Sequence, residues 1–320
     1  MRFNVVLSGL AITLILLSIT ILLRDLSLPL SSLDKQIFVQ LRIPMVLTAI
    51  GVGAALAVSS AILQVLLRNP LADPGIIGIS SGASLFAALY LIAGPALGLS
   101  LAYYPLPLWC FIGAILSTLL IYLVARQLSE FNGSAVILAG IAVSTVAGAI
   151  IAWLYFIADG QSLRNLTFWL MGSLLQADLT LILLCFPAIV LLLIYAVVQA
   201  KNLNWLYLGQ QSAVLKGLDV KTFNRKMILI CALLVGLAVS LAGSIAFVGL
   251  LVPHFLRQLL GHDNRKIIPA AAVSGALLMV TVLLISGLFG GIAVPVSMLT
   301  ATLGGPLFLY VLLKHNRLSL

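Results

Sequence analysis

The chain has 320 residues, 62% hydrophobic and only 8% charged, with mean hydropathy +1.24 and a formal net charge of +9. An apolar share this far above the ~45–50% of soluble globular chains excludes a water-soluble enzyme. The polar breaks are too short to hold a second domain, so residues 1–320 read as one all-α polytopic membrane domain.

In chain order, apolar runs of spanning length are expected near 3–24, 44–67, 75–94, 106–126, 134–157, 179–200, 226–243, 245–260, 268–289 and 294–314, ten transmembrane helices in all. The first run, Val5 to Leu23, exceeds a signal-peptide core and lacks an A-x-A-like cleavage site, so it is expected to be retained. An even number of spans puts both termini on one side. With that side cytoplasmic, only Arg24, Lys35, Arg42 and Arg164 of the 17 basic residues fall outside, as the positive-inside rule requires. The basic excess is therefore a topology signal, and no nucleic acid partner is expected.

Between the second and third spans, Arg68-Asn69-Pro70-Leu71-Ala72-Asp73-Pro74-Gly75 reads as a tight turn, with Asp73 capping the next helix and Pro74 in its first turn. Small residues recur at four-residue spacing at Gly53, Ala57 and Ala61, and again at Gly140, Ser144, Gly148 and Ala152. Such rails let helices approach closely or leave width along a path. The longest inner loop, about 205–222, holds Gln210 to Leu218, a short helix ending at Gly217 with Ala213, Val214 and Leu218 on its apolar side. It suits either docking to a partner or lying on the membrane surface. Further on, His254 and Arg257 share one helix face beside Pro253, without a second metal ligand at suitable spacing.

Catalytic signatures are missing: there is no Walker A, H-E-x-x-H or G-x-S-x-G pattern. Cys110, Cys185 and Cys231 lie in apolar runs without C-x-x-C spacing, so no metal or disulfide framework is expected. Every Asp and Glu falls at a span end or in a loop, which argues against an ion-coupled secondary transporter, the alternative class, and leaves the energy source outside this chain.

Several segments in order then resemble one family. They are Gln40-Leu41-Arg42-Ile43-Pro44, Gly53-Ala54-Ala55-Leu56-Ala57, Asn69-Pro70-Leu71-Ala72-Asp73-Pro74, Leu138-Ala139-Gly140, Phe247-Val248-Gly249-Leu250-Leu251-Val252-Pro253-His254 and Leu303-Gly304-Gly305-Pro306. Across roughly 36–314 the chain resembles the permease subunits of ABC importers for vitamin B12, haem and ferric siderophores. The resemblance implies a ten-helix B12-permease-like fold in the bacterial inner membrane, paired as a homodimer or a heterodimer. It further implies two cytoplasmic ATPase subunits carrying ATP and Mg, and a periplasmic substrate-binding protein; this chain holds no catalytic residue, cofactor or metal of its own.

The same resemblance gives residue roles. Gln210, Gln211, Ser212, Ala213, Gly217 and Leu218 match the element that couples to the ATPase, whose motif falls on Gln211-Ser212-Ala213-x3-Gly217 with Gln211 and Ser212 as the changed positions. Asn132, Gly133 and Ser134 match the cytoplasmic gate, Gly140, Ser144 and Gly148 lie along the translocation path, and Arg42 matches an outward arginine that docks the binding protein. Two docking positions of the family depart, at Met45 and near Gly287, as do positions near Leu283 and Ala293. The segment Asp159 to Trp169 resembles haem-type relatives, so the implied cargo is an iron chelate, haem or siderophore, with cobalamin as the alternative.

Overall fold

The computed structural model describes residues 2–24, 31–95, 105–128, 133–289 and 294–317, with side chains for all of these except Arg2 and 310–317. Asn132, Ala293, Asp25 and Glu130, and the side chains of Arg2, Lys314 and Arg317, lie outside the described set. The described residues form fourteen α-helices: α1 Arg2–Leu23, α2 Ser32–Ile37, α3 Ile43–Leu66, α4 Ile79–Ala88, α5 Pro105–Leu128, α6 Gly133–Ile157, α7 Gly160–Leu170, α8 Leu179–Val198, α9 Ala200–Tyr207, α10 Gln210–Leu215, α11 Val220–Ala242, α12 Val248–Leu260, α13 Asn264–Ser286 and α14 Val296–Arg317. Seven are long and apolar enough to cross a membrane, and three shorter apolar helices, Ile79–Ala93, Val248–Leu260 and Val296–Leu309, occupy the remaining expected spans.

Helix α3 is the hub. Nearly all of it from Thr48 to Leu66 is buried, and α13, α11, α12 and α8 pack around it. The rail of small residues makes this possible: a Cβ on Gly53 would collide with the Gly275 carbonyl of α13, and one on Gly275 with the Gly53 carbonyl. Backbones in such contact gain dispersion along their whole crossing, which matters where lipid removes the hydrophobic drive between helices. α1 lies on the outside of the bundle against α13, with its apolar window unburied.

The connection 67–78 differs from the expected tight turn. Asp73 does not cap α4; its carboxylate accepts from the Gly75 amide at 2.8 Å and from the Ser60 hydroxyl at 3.3 Å. α4 begins only at Ile79, with Gly78 at its N-cap in the left-handed region at φ 95°. Gly78 sits beside the middles of α5 and α6, because its carbonyl accepts from Ser117 at 2.7 Å and its α-carbon faces Ser144. The chain therefore re-enters the bundle and starts α4 at mid-depth. Irregular backbone there must satisfy its polar groups internally. It does so through Asn69 with the Leu71 amide, Ile77 N–H to Asp73 O, and Ile79 N–H to Pro74 O, at 2.9–3.1 Å.

Other boundaries shift for local reasons. α11 starts at Val220, earlier than expected, because the Asp219 carboxylate accepts from the Thr222 amide and hydroxyl. The second span extends back to Ser32 through a capping box between Ser31 and Asp34. Helix α7, unforeseen as a separate element, is N-capped by Asp159, which accepts from the amides of Gln161 and Ser162. At that end 171–173, 242–244 and 296–297 are stitched by Ser173 N–H to Ala242 O, Val296 N–H to Gly172 O, and Ser297 N–H to Met171 O.

Gly275→Ala is expected to force α3 and α13 apart and lower stability by about 1–3 kcal/mol, whereas Gly148→Ala, with open space around it, leaves it unchanged or slightly raised. Thermal unfolding of the two purified variants in detergent checks both.

Candidate functional site

Two ends of the bundle can be told apart. One carries α9, α10 and the corner between α12 and α13; the other carries α7 and the start of α3. At the first end the chain leaves α8 through Gln199, forms α9, turns at Gly209 (φ 124°) and forms α10. α9 is seated by the buried Leu203 and Leu206. α10 closes with a Schellman arrangement around Gly217 (φ 81°): Leu218 N–H donates to Ala213 O at 3.1 Å and Gly217 N–H to Val214 O at 2.9 Å.

This geometry splits the expected apolar side of the segment. Ala213 is fully buried and Leu218 half-buried, so both face the protein. Val214 is 59% and Leu215 88% exposed, and Leu208 at the preceding turn projects likewise. Gln210, Gln211 and Gly217 are exposed and Ser212 half-buried. The projecting apolar residues are thus Leu208, Val214 and Leu215. Leu208 and Leu215 were missed in the sequence because which side of a six-residue helix faces outward depends on how its flanking turns set it down.

At the N-terminus of α6, Gly133 packs directly on the Leu67 carbonyl, and Ser134 is exposed. The rail of small residues divides along the helix. Gly140 meets the Ile77 carbonyl, and Ser144 accepts from the Ser81 hydroxyl at 3.1 Å, so this half seats α6 on the re-entrant connection. Gly148 and Ala152 are exposed, with nothing near Gly148. The face turned away from the bundle is Leu138, Ala142, Thr145, Ala149, Trp153 and Phe156, small in the middle and bulky at its ends. Thr145 donates to the Ile141 carbonyl of its own helix, so this face presents no unmet polar group there.

At the opposite end Arg42 donates to the carbonyls of Leu22 at 3.1 Å and Ile21 at 3.5 Å, placing its charge at the C-terminus of α1, where the helix dipole favours a cation. Met45 is half-buried in the first turn of α3, and Gly287 is exposed with the Arg24 guanidinium beside it. The Ser162 hydroxyl and the amides of Ser162 and Gln161 hold the Asp159 carboxyl below its ordinary range. His254 and Arg257, expected on one face, diverge: His254 pairs with Gln258 at 3.0 Å, while Arg257 turns inward to Gln64 and the Ala61 carbonyl. Among the described residues no group of three or more His, Cys, Asp or Glu gathers where a metal ion would be held.

The model of the FecCD transport family matches residues 3–314. The chain belongs to this family. It is 40% identical over 281 residues, 88% of this chain and 84% of the relative, to the hemin transport system permease protein HmuU of Yersinia pestis. It is equally 40% identical over 287 residues, 89% of this chain and 85% of the relative, to the vitamin B12 import system permease protein BtuC of Vibrio cholerae serotype O1. Among solved structures, an inward-facing metal-chelate type ABC transporter matches with a TM-score of 0.88 and 30% identity, over 97% of this chain and 99% of the other. The chain is accordingly a multi-pass membrane permease of the metal-chelate and B12 class of ABC importers.

Ala213→Glu is expected to bury a carboxylate with no partner and melt α10, at a cost of about 3 kcal/mol or more, whereas Leu215→Glu leaves the fold intact. Hydrogen exchange and limited proteolysis across 208–218 distinguish the two variants.

Proposed function

We propose that the chain is half of a dimeric permease, homo- or heterodimeric, that carries an iron chelate, haem or a ferric siderophore, into the cytoplasm across the bacterial inner membrane. Two ATPase subunits, loaded with ATP and Mg, dock at the α9–α10 end, and a periplasmic binding protein delivers cargo at the α7 end. The observation that carries this reading is the pair Val214 and Leu215, projecting from a helix whose Ala213 is anchored inside. Exposed apolar residues on a rigid, anchored turn fit a groove on a soluble partner. The basic residues concentrate toward the same end, which supports placing it and both termini in the cytoplasm.

In this reading the gate lies where Asn132, Gly133 and Ser134 enter α6, and cargo passes the open side of α6 at Gly148. Gly140 and Ser144 hold the helix in place behind that surface. The small, uncharged middle of this face leaves width for a rigid chelate and no charge to trap it. Arg42 helps recruit the binding protein from its position against α1. Cobalamin is the second reading for the cargo, favoured by the equal similarity to the B12 permease of Vibrio cholerae.

The test is reconstitution with candidate ATPases and binding proteins loaded with haem, a ferric hydroxamate or cobalamin, followed by ATP-dependent uptake; uptake without ATP would overturn the reading. Leu215→Glu is expected to weaken ATPase co-purification by at least about tenfold, the loss of one interface hot spot. Gly148→Trp is expected to abolish uptake without lowering thermal stability. A destabilised Gly148→Trp would defeat the path assignment.

A further inference from the structure

α10 packs on α9 and on the start of α11, and α9 in turn packs on α3, α13 and the end of α8. A push on α10 therefore reaches the hub helix α3 largely through α9. At that junction lies a continuous polar chain. The Asn204 amide of α9 donates to Asp263 Oδ1 at 2.6 Å, and its oxygen accepts from the Asn264 backbone at 2.7 Å and side chain at 2.9 Å. Asn264, fully buried, accepts in turn from Arg257 Nη2 at 3.2 Å. That same nitrogen reaches the Ala61 carbonyl of α3 at 3.2 Å, and Arg257 Nε reaches Gln64 Oε1 at 3.3 Å. The Arg257 guanidinium also lies 5.8 Å from the Tyr207 ring, which stacks on His262 at 5.3 Å.

Two features set this chain apart from ordinary packing. The guanidinium is met by neutral oxygens of Gln64, Ala61 and Asn264, although Asp263 lies only one residue from Asn264 and is instead held by Asn204 and Arg265. Moreover, Arg257 Nη1 and Gln64 Nε2, both buried, find no acceptor among the described residues. A joint built only for stability would pair such donors or replace them with apolar groups. Spare donors beside a forked cation give it alternative acceptors when the neighbouring helix shifts by a fraction of a turn, the kind of discrete rearrangement that links distant sites.

We infer that Asn204 and Arg257 are positioning residues that transmit the movement of α9–α10 to α3, α12 and α13, and so couple ATP hydrolysis to opening of the path. The inference rests on the importer reading above. It is read as cargo molecules moved per ATP hydrolysed by complex purified through this chain before reconstitution, so that ATP split by unassembled ATPase does not enter the ratio.

Asn204→Asp sets a second carboxylate at hydrogen-bond distance from Asp263 and breaks the joint, and the ratio is expected to fall about tenfold. The double variant Asn204→Asp with Asp263→Asn removes the repulsion and lets the new amide at 263 donate to the new carboxylate at 204, at the expense of the bond that Asp263 Oδ1 takes from the Arg265 amide, so it is expected to return the ratio to within about threefold of wild type. Arg257→Lys keeps the charge but loses the fork, and is expected to lower the ratio even where Asn204→Asp fails to assemble. A wild-type ratio in Asn204→Asp or in Arg257→Lys, or a double variant that restores assembly without restoring the ratio, overturns the inference. A wild-type complex that moves none of haem, a ferric hydroxamate or cobalamin under ATP overturns the importer reading instead.

Discussion

The architecture depends on one constraint, the burial of α3 on every side. A helix surrounded by four others cannot keep bulky residues at each crossing, and the exchange of backbone contacts between Gly53 and Gly275 shows where the limit is reached. Around that crossing the core is filled by residues such as Ile62, Leu63, Met227, Leu234 and Ile267, all nearly fully buried. Because lipid is as apolar as these side chains, close packing rather than exclusion from water holds them together. Small residues at the crossings thus set the distances at which everything else is placed.

The second constraint is the backbone that is not helical. The connection 67–78 enters the bundle and the segment 243–247 runs between α11 and α12, and each yields a short apolar helix in place of a full span. Their peptide groups are met by neighbours, Gly78 by Ser117 and Ser244 by the Ser297 hydroxyl at 2.6 Å. Phe247, at φ 69°, begins α12 in a conformation unfavourable for a bulky residue, with α14 close by at Gly304. Asp73, bound to Ser60 and facing Gly249 of α12, ties the two irregular segments to the same stretch of α3.

Function follows from which surfaces remain unpacked. The turned-out face of α6, with Trp153 and Phe156 at its α7 end, is left open by a single chain, as are Val214 and Leu215 at the far end. The polar joint of Asn204, Asn264 and Arg257 lies between the second of these surfaces and the hub. Asp263, which anchors the joint, has its carboxyl pulled down to about 2, first by Arg265 and then by Asn204. It remains ionised at every physiological pH, and its contribution is lost only as pH falls toward that value.

Composition and periodicity alone determined the membrane class, the ten apolar segments and the polar loop holding α9 and α10, because each is a local property of twenty or so residues in lipid. The motifs in order carried the family, and the rail at Gly53 announced a close crossing. Which face each short element turns inward was decided only by tertiary structure. Ala213 and Val214 are neighbours of similar character, and only the docking of α9 sends one inside and the other out. Gly140 and Gly148 belong to one rail, yet the first meets Ile77 and the second meets nothing, because the re-entrant connection stops at mid-depth. Asn204 and Arg257, fifty-odd residues apart, join through a fully buried asparagine. No local pattern records such a meeting, since hydrogen bonds between elements depend on where packing brings their ends together.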